Sequence, residues 1–121
     1  VAHQTDKIVF ITDREKVIAA AGDGLKGIVG KEISHSLERI LDDRDESLPL
    51  AERSRFIPVI ESMDGSDEMK KVEQVRQMIR SNGQIIGSII IQSKDPKYKV
   101  GEFEKKVAMV AAEFLGKQIT I

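Results

Sequence analysis

Gly22-Asp23-Gly24-Leu25-Lys26-Gly27 has the G-x-G-x-x-G spacing of a dinucleotide-binding loop, placed after the apolar run Val17–Ala21. Asp42 and Asp43 follow at about the 20-residue offset where such folds keep the acid that holds a ribose hydroxyl. The chemistry requires a strand, a tight glycine turn and a long helix whose N-terminus meets the pyrophosphate. Here a fourth glycine, Gly30, falls where that helix should run. Each glycine costs about 1 kcal/mol against alanine inside a helix. The expectation is therefore a folded loop whose glycines supply positive φ and close packing. A nucleotide-binding enzyme built on Gly22, Gly24 and Gly27 is the lesser alternative.

Other reactive residues form no complete site. Asp43, Asp45 and Ser47 could open a calcium loop, but its sixth position is Leu48 and its twelfth Ser54, where glycine and glutamate are needed. The acidic run Asp64-Gly65-Ser66-Asp67-Glu68 is half of such a site at most. There are 2 histidines, His3 and His35, and no cysteine, so no metal site, thiol chemistry or disulfide is expected. No nucleophile motif is present, and Ser88 sits inside a strand pattern. Arg39, Arg53, Arg55, Arg76 and Arg80 could meet an anionic ligand through their guanidinium forks, or simply solvate the surface. No catalytic residue and no cofactor is expected.

The elements that would position these groups form one domain of 121 residues. Lys and Arg total 19 against 20 Asp and Glu, which leaves little positive field for duplex DNA. No apolar run reaches the roughly 18 residues of a membrane span, so neither membrane nor direct nucleic-acid binding is expected of this segment. The absence of cysteine suits a cytoplasmic setting. The chain begins at Val1 rather than methionine, and a domain of a longer protein is expected.

Lys7–Thr12 and Lys16–Ala21, separated by a turn-forming stretch, predict an antiparallel hairpin. Leu37, Ile40 and Leu41 at helical spacing behind Ser34 and Ser36 predict a short helix near 34–44. Arg53–Ile60 reads as a third strand, placed at an edge by Pro58. Asn82-Gly83 predicts a tight turn between two further strands, of which Ile85–Ile91 is apolar on both faces and central. Val100, Phe103, Val107, Val110 and Phe114 recur at helical steps near the end, and Ala108, Ala111, Ala112, Leu115 and Ile119 widen the stripe. That width exceeds what one sheet face absorbs. It is covered either by core packing within the chain or by a partner's helix, with Val107, Val110 and Phe114 as the contact residues.

Four strings in order, "VFITDREKVIAAAG", "LERILDDR", "NGQIIGSIIIQSKD" and "AAEFLGKQ", resemble the GAF domain, a small-molecule-sensing and dimerising module. More narrowly, they are similar to the GAF-like C-terminal domains of the stage V sporulation protein T family of sporulation transcription factors. The resemblance covers nearly the whole chain.

It implies an α+β fold: a GAF-like, PAS-related, mostly antiparallel five-stranded sheet. N- and C-terminal helices would lie on one face, and a short helix with loops on the other. The terminal helices would pair across subunits, with the bundle helix at Glu102–Gln118 and Val1–Asp6 ending the helix that leads in. Phe103, Val107, Val110, Ala111, Phe114 and Gln118 are then the interface candidates. A pocket for a small effector of open identity would be lined by Ile33, Leu37, Ile40, Leu41, Arg55, Phe56, Met63 and Met69. The family joins this domain to an N-terminal DNA-binding domain that this chain does not contain, so DNA would be met only through that part. A PAS-like sensor module of a signalling protein remains the alternative.

Overall fold

The structure is a computed structural model and describes residues 7–22, 27–42, 56–61, 72–93 and 100–118. β1 (Lys7–Thr12) and β2 (Val17–Ala21) form the first hairpin. Asp13 turns the chain by accepting the Glu15 and Lys16 amides on Oδ1, each at 2.7 Å. This is the local hydrogen bonding that makes aspartate a turn residue. β3 (Gln74–Ser81) and β4 (Gln84–Ser93) form the second hairpin across Asn82 and Gly83, whose φ values are 53° and 79°. The four strands make one antiparallel sheet in the order β2-β1-β4-β3, with the doubly apolar β4 inside as its composition requires.

The short helix α1 spans His35–Asp42, and α2 spans Glu102–Gln118. Ser34 caps α1: its Oγ accepts the Leu37 amide at 3.0 Å and donates to the Pro58 carbonyl at 2.6 Å. Arg14 in the first hairpin turn pairs with Asp42 at the other end of α1 and donates to the Ile85 carbonyl at 3.3 Å. Gly101 begins α2, its amide held by Glu104 Oε1 at 3.1 Å, which is half of a capping box.

Two cores sandwich the sheet. On the α1 side, Phe10, Val17, Ile28, Ile33, Leu37, Leu41, Val59, Ile60 and Ile90 are buried together. On the α2 side, Val75, Ile79, Ile89, Ile91, Ala108 and Ala112 form the other core. In β4 the register slips where Ile79 faces Gly87 while Arg80 faces Ile85, which leaves Ile86 as an extra residue. This bulge changes the phase of the pleat, so Ile85 joins the α1-side core and Ile86 the other.

Among the described residues the fold is thus α+β with four strands, and the described part of the strand expected at Arg53–Ile60 does not join them. Residues 56–61 are not a strand, and Arg53–Arg55 lie outside the described residues. Pro58 has no amide to give to a ladder. A side-chain clasp replaces it: Gln74 Oε1 accepts the Ile57 amide at 3.1 Å, and Gln74 Nε2 donates to the Ile57 carbonyl at 2.8 Å and to Gln92 Oε1 at 3.0 Å. Gln74→Ala strips those partners from a part-buried backbone, and a loss of about 2–3 kcal/mol is expected in urea unfolding. Faster amide exchange at Ile57 would mark the released segment. An unchanged midpoint would show that the clasp does not hold it.

The glycine segment is also settled in its described part. Residues 27–34 are not helical; they run along the outer edge of β2, with Val17 donating to the Lys31 carbonyl at 2.9 Å and Gly30 to the Val17 carbonyl at 2.8 Å. Gly22, Gly27 and Gly30 have φ of 133°, 81° and 93°. The first helix described after Gly27 begins at His35 and is anchored by Ser34, not by the glycines of the motif. Gly24 lies outside the described residues.

Candidate functional site

Two surfaces carry what the sequence singled out: the outside of α2 and the α1 side of the sheet. On α2 the smallest residues meet the sheet. Ala108, Ala112 and Gly116 are buried, with Ala111 and Leu115 half-buried beside them. At Gly116 an added Cβ would overlap the Arg80 carbonyl oxygen, so the helix backbone rests on β3 with no side chain between.

The large apolar residues face away. Phe103 is 75% exposed, Val110 67%, Phe114 60% and Val107 43%. Steps of four, three and four residues align them as one stripe. Ala111 is half-buried at its margin, and Gln118 is exposed at the end of the helix. The stripe that the sequence left open between core packing and a partner contact is therefore outside, and the alanine-glycine stripe next to it is the sheet contact.

α2 covers β3 and β4. Met109, Glu113 and Gly116 flank the β3 side, so helical geometry turns Val107 and Ala111 toward β1. There Val9 and Ile11 are only half-buried, and Ile18, the extra residue of a second bulge, is exposed. The apolar stripe and this thinly covered part of the sheet lie side by side.

On the α1 side, Ile33, Leu37 and Leu41 are brought together in the buried core with Val59 and Ile60. Ile40 and Phe56 are half-buried. Arg55, Met63 and Met69 lie outside the described residues. The surrounding sheet is unusually polar: Thr12, Ser88 and Gln92 are buried, and the Thr12 and Ser88 hydroxyls lie 2.7 Å apart. Arg76 stands opposite Ile90 on this face, and burial lowers its guanidinium pKa from the ordinary value.

Of the other candidates, Arg39 is exposed on α1 and Arg80 is exposed beside the β3–β4 turn. His35 Nδ1 lies 3.2 Å from Glu61 Oε1, a carboxylate that also accepts the His35 amide at 2.7 Å. Among the described residues no three His, Asp or Glu side chains gather as a metal set. No described helix is long and apolar enough to cross a membrane. Ser88 is fully buried within β4, bonded to Thr12 and away from any nucleophile geometry.

Sequence reasoning missed Met109, Gly116 and Gln74. Gly116 had a readable signal, because a glycine inside an otherwise strong helix costs stability unless a backbone approaches there. Gln74 had none, since its role depends on where Ile57 is brought by the fold.

The family model described as stage V sporulation protein T C-terminal, transcription factor, matches residues 1–120. The chain is 35% identical over 111 residues to stage V sporulation protein T of Bacillus subtilis (strain 168). That alignment covers 92% of this chain and 58% of the relative, so the chain spans little more than half of the longer protein.

Proposed function

Because the chain belongs to the family of stage V sporulation protein T C-terminal domains, we propose that it is the regulatory, non-catalytic domain of a sporulation transcription factor that self-associates through the outside of α2. The observation that carries this reading is the exposed stripe Phe103, Val107, Val110 and Phe114. A run of large apolar side chains on one helix face loses roughly 25 cal/mol per Å² when left in water, and pairing with a second copy removes that cost. The thinly covered β1 flank beside it, with Val9, Ile11 and Ile18, gives room for a further helix of the assembly.

The same reading takes the fold as GAF-related and the domain as one cytoplasmic module of a longer regulator, with DNA contacted by a part outside this chain. A small effector would be read on the α1 side. Leu37, Ile40, Leu41 and Phe56, with Arg55, Met63 and Met69, are its candidate walls. The buried hydroxyls and amides of Ser88, Thr12 and Gln92 supply a polar floor there.

Multi-angle light scattering tests the first half. The native chain is expected to be a dimer or larger, and Val110→Glu to weaken association by about 100-fold or more, since two buried valines and two charges are at stake. Circular dichroism of the variant should stay native because Val110 touches no core. A native chain that is monomeric at high concentration, and unchanged by Val110→Glu, overturns the proposal.

A further inference from the structure

We propose that a second copy of the chain docks on α2 antiparallel, in an orientation set by Lys106 and Glu113; the inference rests on the self-association reading and adds its geometry. The apolar stripe does not choose a direction. Phe103, Val107, Val110 and Phe114 keep the same order and the same spacing of four, three and four residues when read from either end. Antiparallel pairing sets Phe103 against Phe114 of the partner subunit and Val107 against Val110 of the partner subunit. Parallel pairing sets each of the four against its own twin. Phenylalanine meets phenylalanine and valine meets valine both ways, so the apolar area removed from water is about the same. Charge is left to decide.

α2 carries six charged side chains: Glu102, Glu104, Lys105, Lys106, Glu113 and Lys117. Three are engaged within the helix end. Lys105 Nζ lies 3.7 Å from Glu102 Oε1, and Glu104 accepts the Gly101 amide. Lys106, Glu113 and Lys117 are exposed and form no ion pair among the described residues. Lys106 and Glu113 are seven residues apart, about 10 Å along the axis, which is too far to pair within one copy. Seven residues are also two turns, so both stand on one flank of the stripe, and Glu113 places that flank toward β3. The other flank, toward β1, carries Glu104, Ala111 and Gln118 at the same spacing.

In a parallel pair each flank faces the opposite flank of the other helix, five residues further on. Lys106 would then meet Ala111 of the partner subunit and Glu113 would meet Gln118 of the partner subunit, and neither charge is compensated. In an antiparallel pair the two-fold axis runs across the helices, so the β3 flanks of the two copies come together. Centred between Val107 and Val110, that axis brings Lys106 within about 3 Å, along the helix, of the level of Glu113 of the partner subunit. Symmetry makes the pair twice. The same register sets Glu102 beside Lys117 of the partner subunit. Opposite charges beside an apolar helix seam select partner and orientation, and this surface is complementary to itself, as a two-fold dimer requires.

The test combines light scattering on a dilution series of charge variants with a distance between spin labels. Lys106→Glu and Glu113→Lys, made singly, are each expected to weaken association about tenfold by setting like charges opposite. Made together, they restore opposite signs and are expected to associate within about threefold of the native chain. The chain has no cysteine, so Gln118→Cys takes one label at the end of α2. The two labels of a dimer are expected about 30 Å apart if the helices are antiparallel and about 20 Å or less if they are parallel.

Single reversals without effect, a double variant no tighter than the singles, or labels at the short distance overturns the orientation while Val110-dependent association stands. A native chain that is monomeric at high concentration overturns the self-association reading itself, and the orientation with it.

Discussion

Gly87→Ala is expected to destabilise the domain by about 3 kcal/mol or more, lowering its Tm by about 10 °C or more. Gly87 lies at the β4 bulge with a φ that any residue could adopt, so backbone strain is not the cause. The cause is space. A Cβ there would overlap the Thr12 carbonyl oxygen and sit 3.1 Å from Asp13 Cα, and both obstacles are backbone. Side chains can rotate away from such an intrusion, whereas Thr12 is held by its pairing with Ser88 and Val17 and Asp13 by the turn it makes. The strand pair β1–β4 must open, and it is the centre of the sheet. Ser88→Ala, which removes only the hydroxyl contact to Thr12, should cost about 1–2 kcal/mol. Equal losses in the two variants would show that the sheet accommodates the methyl group and that the close approach is not decisive.

Gly116→Ala is the second large effect, and its sign is the informative part. At an exposed helix position alanine would stabilise by about 1 kcal/mol over glycine. Here the added methyl would meet the Arg80 carbonyl oxygen, again backbone, so α2 must lift from β3. Lifting the helix uncovers Ile79, Val75 and Ala112, and a net loss of about 2–3 kcal/mol is expected after the propensity gain is subtracted. Differential scanning calorimetry gives the answer directly. A rise in Tm would mean that α2 does not rest on β3 as described.

Much of the fold was legible in local chemistry. Asp13 and the Asn82-Gly83 pair announce their turns, and the doubly apolar Ile85–Ile91 announces a central strand. Ser34 marks the start of α1, and the helical steps from Val100 to Phe114 announce α2, whose bounds Glu102–Gln118 came from the family resemblance. The described part of the strand expected at Arg53–Ile60, residues 56–60, was not legible in the same way. A run of apolar residues around Pro58 satisfies a strand pattern, yet Ile57 finds its partners on the Gln74 side chain, a contact between segments far apart in sequence. The pocket candidates Ile33, Leu37 and Leu41 show the same limit: an apolar stripe on a short helix predicts burial but not what else shares the space.

α2 makes the division plainest. Composition and spacing alone determined that a helix would form here and that it would carry more apolar surface than one sheet face accepts. The family came separately, from the resemblance of four strings in order. Only the tertiary structure decided which stripe turns inward. Periodicity weighs side chains by hydrophobicity and left Phe103, Val107, Val110 and Phe114 open between core and a partner contact. Packing weighs them by size, and the bare backbone of Gly116 against Arg80 admits only Ala108 and Ala112 as neighbours along the contact. The larger side chains are therefore left on the outside, because a close helix–sheet approach selects for small volume before it selects for apolarity.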